Sequence, residues 1–239
     1  MSHALAGCRL LVSAGPTFED IDPVRFLGNR SSGKMGFAIA AAAAERGAQV
    51  CLVAGPVTLP TPAGVTRIDV RSAAQMHAEV MAQLSVEHLP CDVYIGAAAV
   101  ADFTPQACAG SKLKKTPGED TLTLELVKTR DILAEVAVHA RRPRLVVGFA
   151  AETNDVVAYA RGKLERKRLD LICANRVGVG ATGFESDDNT LLVLGHDGFA
   201  HALGPAAKTE IAGQLLDLIF EKLISERLIA QSRAMEQQG

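Results

Sequence analysis

The sequence predicts an α/β fold built on a mainly parallel sheet covered on both faces. Three observations carry this. Runs of Val, Ile, Leu and Ala recur without the alternation of a half-exposed strand, as in RLLVSAG, AQVCLVAG, CDVYIGAAAV, RLVVGFA and DLICANRV. Continuous apolar runs of this length belong to strands buried on both faces. Segments of helical periodicity separate them, the pattern of parallel strands joined by crossover helices. The runs also end in small residues, SAGPT, VAGP, GAAAVAD, GFAAET and CANR. Ligands of such sheets bind at the carboxyl ends of the strands, and small residues there let a ligand approach the backbone.

The elements follow in order. Residues 9–15, RLLVSAG, open the sheet, and a long polar loop comes next. GKMGFAIAAAAAERG reads as a helix with Ser31 or Ser32 as N-cap and Gly47 as its stop. AQVCLVAG and TRIDV are the second and third strands, SAAQMHAEVMAQLS a helix capped by Ser72, and CDVYIGAAAV the fourth strand. ADFTPQACAGSKLKKTPGED is basic and rich in small residues, too long for a routine connection, which marks it as a functional loop. TLTLELVK alternates strictly and reads as a half-exposed strand. DILAEVAVHARR is a helix, RLVVGFA a strand, NDVVAYARGKLERKR a helix with a basic end, and DLICANRV a strand. GVGATGFESDDN is a loop, TLLVLGHDGFAHAL a hairpin, and AKTEIAGQLLDLIFEKLISERL a long amphipathic helix. The tail AQSRAMEQQG is expected to fray. With no internal repeat and no linker, residues 1–239 read as a single Rossmann-like three-layer domain with a long active-site loop and a small C-terminal β-hairpin.

Bulk properties exclude several classes. A net charge of -2 gives no support for a nucleic-acid surface or a polybasic membrane anchor. Cys8, Cys51, Cys91, Cys108 and Cys173 stand singly, without a CxxC pair or a His at ligand spacing. They read as reduced thiols of a cytoplasmic protein rather than disulfides or zinc ligands. FAIAAAAA is too short to span a bilayer, and the N-terminal residues lack the pattern of a signal peptide. No Ser-His-Asp arrangement stands out, and the six histidines fall away from the strand ends.

The segment GNRSSGKMG (28–36) matches seven letters of a phosphate-binding G-x-x-x-x-G-K loop. A true loop of that kind follows a strand directly and ends in Ser or Thr, whose hydroxyl ligates Mg²⁺. Here about a dozen residues intervene and Met35 takes the hydroxyl's place, a side chain unsuited to that hard ion. What survives is a helix start, at Ser31, Ser32 and Gly33, whose backbone N–H groups suit an anion. The rival dinucleotide reading fails on SAGPTFED, which is not G-x-G-x-x-G, and on a second strand that ends VAGPV without an acidic residue. The run at residues 112–115, KLKK, reads either as a solvated basic loop or as one that closes on a polyphosphate. Lys163 and Lys167 share a helical face, either as surface residues or as a second anion contact. Asp102, at a strand end, suits a Mg²⁺ ion, a base or ribose contact, or a loop cap. Asn29 suits an oxyanion or a substrate carbonyl, and Lys34 is left without a role.

Together SAGPTFEDIDPVRFLGNRSSGKMG, GAAAVADF, KLKK, VGFAAET and DLICANRV resemble phosphopantothenoylcysteine synthetase, over nearly the whole chain from about Cys8 to Ile224. The resemblance implies a ligase of coenzyme A biosynthesis that joins 4′-phosphopantothenate to L-cysteine through an acyl-cytidylate, with CTP and Mg²⁺ and without flavin. It implies Asn29, Arg25 and Lys112 as catalytic residues. It implies a CTP site at Gly96, Ala97, Ala98, Asp102, Lys112, Val127, Lys128, Thr129, Arg130, Phe149, Lys163 and Lys167, with Mg²⁺ held by the CTP phosphates and Asp102. Substrate contacts are expected at Asn29, Ser31, Ser32 and Gly33. The family is a homodimer, commonly fused to a flavin-dependent decarboxylase, so the sequence fits either a monofunctional member or an excised half. Two positions depart from the family pattern: Gly28 replaces a Ser and Phe18 a common Arg. Gly28 is expected to loosen its turn with little loss of activity, and Phe18 to weaken an anion contact. A non-catalytic nucleotide-binding module and a nicotinamide-dependent oxidoreductase are the alternatives from other classes.

Overall fold

The computed structural model describes residues 4–114, 120–152, 155–176 and 188–236, with residues 152, 176 and 226–236 described as backbone only. Its elements run β1 (Arg9–Ala14), β2 (Phe18–Asp20), β3 (Phe26–Gly28), α1 (Lys34–Glu45), β4 (Gln49–Ala54), β5 (Val65–Asp69), α2 (Ala73–Gln83) and β6 (Val93–Gly96). Then come β7 (Phe103–Pro105), β8 (Leu126–Lys128), α3 (Ile132–Ala137), β9 (Leu145–Glu152), α4 (Val156–Arg166), β10 (Leu171–Arg176), β11 (Asp188–Gly195), β12 (Ala200–Ala207) and α5 (Lys208–Glu236).

The main sheet has the order β12-β11-β10-β9-β6-β1-β4-β5. From β10 to β5 all pairings are parallel, and the β11–β12 hairpin extends the sheet antiparallel. The hairpin is thus part of the sheet, not a separate appendage. From β1 the chain builds outward through β4 and β5, and from β6 it builds the other way. The crevice between β1 and β6 is therefore the topological switch point, where such sheets bind ligands.

Strand periodicity assigns the two layers. On β1, Leu10, Val12 and Ala14 pack into the core made with α1 and α5, while Leu11 joins the core made with α2, α3 and α4. Ser13 shares the second face, where it hydrogen-bonds Tyr94 at 3.0 Å.

Several expectations need correction. Neither serine caps α1: the N-cap is Gly33, at φ 74° and without a side-chain cap bond, and Ser31 Oγ instead accepts from Gly33 N at 3.3 Å. The left-handed backbone is open to glycine and brings the first turn of α1 onto the sheet. Gly47 does follow the C-cap of α1, and Ser72 does cap α2, in a full capping box with Gln75. TLTLELVK forms a strand only at β8, because its partner β7 is three residues long and offers no further ladder. α3 stops at Ala137, whose carbonyl accepts from Arg142 Nε at 3.0 Å. The backbone of the tail is helical through Glu236, and residues 237–239 lie outside the described ones. Lys115 and most of the GVGATGFESDDN loop lie outside the described residues. Cys8, Cys51, Cys91 and Cys173 are buried and Cys108 is exposed; burial pushes the Cys91 thiol up to about 12. No described helix is long and apolar enough to cross a membrane.

The close seat of α1 makes a prediction. A Cβ on Gly36 would overlap the Ala14 side chain. Gly36→Ala is therefore expected to destabilise the fold by about 1–3 kcal/mol through overpacking, despite alanine's better helix propensity. Chemical denaturation measures it, and an unchanged or raised midpoint would contradict the packing.

Candidate functional site

The segment following β6 builds the site. It continues alongside the end of β1, where Ala97 N donates to Ser13 O at 3.0 Å, Ala99 N to Gly15 O at 2.9 Å and Thr17 N to Ala99 O at 3.3 Å. Extended backbone alternates its sides. Gly96 and Ala98 line a cavity of about 450 Å³, and Ala97 and Ala99 line a second of about 360 Å³. The two share Ala98, Val100, Asp102, Phe149 and Lys163 and so form one bent crevice at the switch point.

The first cavity gathers most of the residues expected at a nucleotide. Gly96, Ala98, Asp102, Lys128, Thr129, Arg130, Phe149, Lys163 and Lys167 all line it. The β7–β8 pair explains its wall: Phe103 and Lys128 are cross-strand partners and face the cavity together. Val127 is one residue out of phase, lines neither cavity and is exposed. Ala97 belongs to the second cavity. Four cationic side chains against Asp102 and Asp131 favour a polyanion. Lys167 also pairs with Asp131 at 2.7 Å, and Arg130 with Glu135 at 2.6 Å, so these cations are held in position. The floor is Ser13 and Tyr94, which the sequence reading missed. Burial raises the Tyr94 hydroxyl, so it stays neutral.

The second cavity contains Asn29, Ser31, Ser32 and Gly33 together. Asn29 Nδ2 donates to Ala99 O at 3.1 Å and Val100 O at 3.2 Å, so the amide nitrogen serves the scaffold. The far wall holds Lys34, Asn175, Asn189 and Lys208, of which only Lys34 was weighed in the sequence. Lys208 is 7% exposed and opens α5, and Lys34 opens α1. Two helix starts and two lysines thus border one cavity, an arrangement suited to a phosphate.

Arg25 and Lys112 line neither cavity. Arg25 is ion-paired with Asp22 at 2.5 Å and also donates to Leu113 O at 2.9 Å, while Leu113 N donates to Asp22 Oδ2 at 3.1 Å. Asp22 therefore pins the start of the basic loop to the β2–β3 turn. Lys112, next to this anchor, is exposed.

A magnesium ion typically takes one or two carboxylates together with substrate phosphates. Asp102 fits that role. Among the described residues no three His, Cys, Asp or Glu side chains gather as a metal site of their own, so the donor set suits an ion carried on a nucleotide.

The Arg25 guanidinium, helped by backbone N–H groups of Val24, Leu113 and Arg25, holds the Asp22 carboxyl well below the usual carboxylate range. A lowered folded-state value contributes stability above the unfolded value, and that contribution fades as pH falls through the folded one. Asp22→Asn is expected to speed hydrogen exchange at the Leu113 amide at neutral pH. The difference from wild type should shrink below about pH 4. Equal exchange at neutral pH would dissolve the anchor.

Residues 5–223 match the family described as DNA/pantothenate metabolism flavoprotein C-terminal domain. The coenzyme A biosynthesis bifunctional protein CoaBC of Vibrio cholerae is 50% identical over 219 residues, 92% of this chain and 54% of that protein. CoaBC of Escherichia coli is 50% identical over 208 residues, 87% of this chain and 50% of that one. The chain thus spans about half the length of these relatives. The crystal structure of the C-terminal domain of a CoaBC protein superposes with a TM-score of 0.78 at 38% identity, covering 94% of this chain and all of that one. A Cab2 mutant in complex with phosphopantothenate-cysteine superposes at 0.73, covering 95% of this chain and 89% of that one; at 15% identity this likeness shows the fold alone.

Proposed function

Because the chain belongs to the DNA/pantothenate metabolism flavoprotein C-terminal domain family, we propose that it joins 4′-phosphopantothenate to L-cysteine with CTP. The observation that carries this reading is the bent crevice, with most of the expected nucleotide contacts along one arm and Asn29 beside an anion-suited helix start in the other. Its relatives' designation as coenzyme A biosynthesis proteins supports the pathway.

In this reading CTP occupies the first cavity. Lys128, Arg130, Lys163 and Lys167 neutralise its phosphates, and Asp102 would hold Mg²⁺ with them, an ion that supplies further charge neutralisation there. The pantothenate arm crosses the junction at Ala98 and Phe149 into the second cavity, its phosphate toward Lys34 and Lys208. The substrate carboxylate attacks the α-phosphorus and pyrophosphate leaves. The cysteine amine then attacks the acyl carbon and CMP leaves. Both steps need alignment and charge stabilisation more than a proton relay, which suits a crevice with lysines and, among the described residues, no histidine lining.

Pyrophosphate release with phosphopantothenate, cysteine, Mg²⁺ and CTP tests the reading. Release with ATP in place of CTP would overturn the nucleotide assignment, and no release with either would end the ligase reading.

A homodimer is part of the proposal. Arg25 and Lys112 line neither cavity of their own chain, and the nearby arms expose Val24, Phe26, Phe103, Leu126 and Val127. Catalytic roles for Arg25 and Lys112 then require a partner's crevice. Asn29→Asp is expected to form the acyl-cytidylate and transfer it poorly, and Lys112→Gln to fail before pyrophosphate release. Mixing the two inactive variants, with subunit exchange, should restore about one quarter of wild-type activity, because half of the dimers are mixed and one site in each is intact. No recovery would place both residues in one chain's site.

Lys208→Met is expected to raise KM for phosphopantothenate at least about tenfold while KM for CTP changes little, the loss of one charged hydrogen bond to phosphate. Equal effects on both constants would refute the phosphate end assigned to the second cavity.

A further inference from the structure

We infer that Phe18 is a positioning residue for Asn29, acting through the bare backbone of Gly28; this rests on the role given to Asn29 above. Phe18 and Gly28 are directly opposite in the β2–β3 pair. A Cβ on Gly28 would lie 2.8 Å from Phe18 Cδ1, 3.2 Å from Cε1 and 3.2 Å from the Thr17 carbonyl oxygen. The ring thus occupies the space a side chain at position 28 would need.

The ring has little freedom to give way. It stacks on Phe26 with centroids 4.0 Å apart and planes at 21°. The Arg71 guanidinium lies 5.6 Å from both ring centroids and is itself held by Asp20, at 2.6 and 3.0 Å. Phe18 N donates to the Arg71 carbonyl at 2.8 Å. Strand β2 is therefore tied to the turn before α2, and the ring lies over the bare Cα of the last residue of β3.

Asn29 comes next. Its amide reaches two consecutive carbonyls, Ala99 and Val100, at 3.1 and 3.2 Å. Hydrogen bonds at these lengths fail with a displacement of several tenths of an ångström. A backbone shift at Gly28 moves the Asn29 Cα directly, whereas the nucleotide cavity does not include Gly28, Asn29 or Phe18. The contact therefore acts on Asn29, the residue to which the proposed function gives the transfer to cysteine, and not on the nucleotide cavity.

The test is a double-mutant cycle of Gly28→Ala and Phe18→Ala, read in single-turnover transfer to cysteine, in pyrophosphate release, and in the NMR exchange rate of the Asn29 side-chain amide. Gly28→Ala alone is expected to slow transfer about tenfold, with pyrophosphate release affected less, and removing the ring should recover most of that loss. Independent, multiplicative effects of the two changes would overturn the inference, as would equal losses in both half-reactions. Should Gly28→Ala fail to fold, Phe18→Leu in the unaltered Gly28 background decides. It should speed exchange of the Asn29 amide and slow transfer, and no change in either would overturn the inference. A wild-type protein inert toward phosphopantothenate and CTP would sink the ligase reading alone, because the amide exchange still reports whether Phe18 holds Asn29.

Discussion

Segment 97–102 leaves the main sheet at the switch point yet does not run free, because hydrogen bonds hold it from three sides. The end of β1 pairs with it through Ser13, Gly15 and Thr17. Thr17 Oγ1 also accepts from Ala101 N at 3.0 Å, and Thr129 Oγ1 donates to Ala101 O at 2.6 Å. Asn29 supplies the third side through Ala99 and Val100. A stretch of alanines has no side chains with which to fix itself, so its backbone groups are bonded by its neighbours. The same lack of bulk leaves both faces of the segment open as cavity wall. The crevice, its division into two arms and the placing of Asp102 all depend on this one tethered strand extension.

The tether joins parts far apart in sequence. Thr17 follows β1, Asn29 follows the small β2–β3 pair, and Thr129 follows β8. The β7–β8 pair lies outside the main sheet; β7 continues the segment directly, and β8 is tied back to it through Thr129, whose N–H also donates to Asp102 O at 3.0 Å. Lys128 and Arg130 flank that residue. The part of the cationic wall made by Lys128 and Arg130 and the position of Asp102 are thus set by the same few bonds, so movement of the β7–β8 arm carries that charge and the carboxylate together.

The parallel layers were legible because burial on both faces leaves a continuous apolar run, which RLLVSA and LICANR display directly. The capping box at Ser72 was legible because its signal is local. The start of α1 was not, since a serine beside the right position reads as a cap, while the fit of Gly33 and Gly36 against the end of β1 is a tertiary fact. TLTLELVK misled in the opposite sense: alternation reports which side chains face apart, not whether a partner strand is long enough to pair. Lys208 was invisible as a site residue, because one lysine opening an amphipathic helix carries no signal until β11 and β12 bring it to the cavity that Asn29 also lines.

Gly28 and Phe18 show how two separate sequence features become one structural statement. Read alone, glycine before Asn29 suggests a loosened turn, and phenylalanine for arginine suggests a weakened anion contact. In the fold the ring lies where a side chain at position 28 would sit, and Gly28 falls in regular β3 rather than at a left-handed turn. The glycine is therefore a spatial requirement rather than a source of looseness. GNRSSGKMG follows the same logic. Its Gly28 fits a phosphate-loop template by coincidence of spacing, its Gly33 supplies the helix start, and Asn29, which that template treats as filler, is the residue that ties the segment to the crevice.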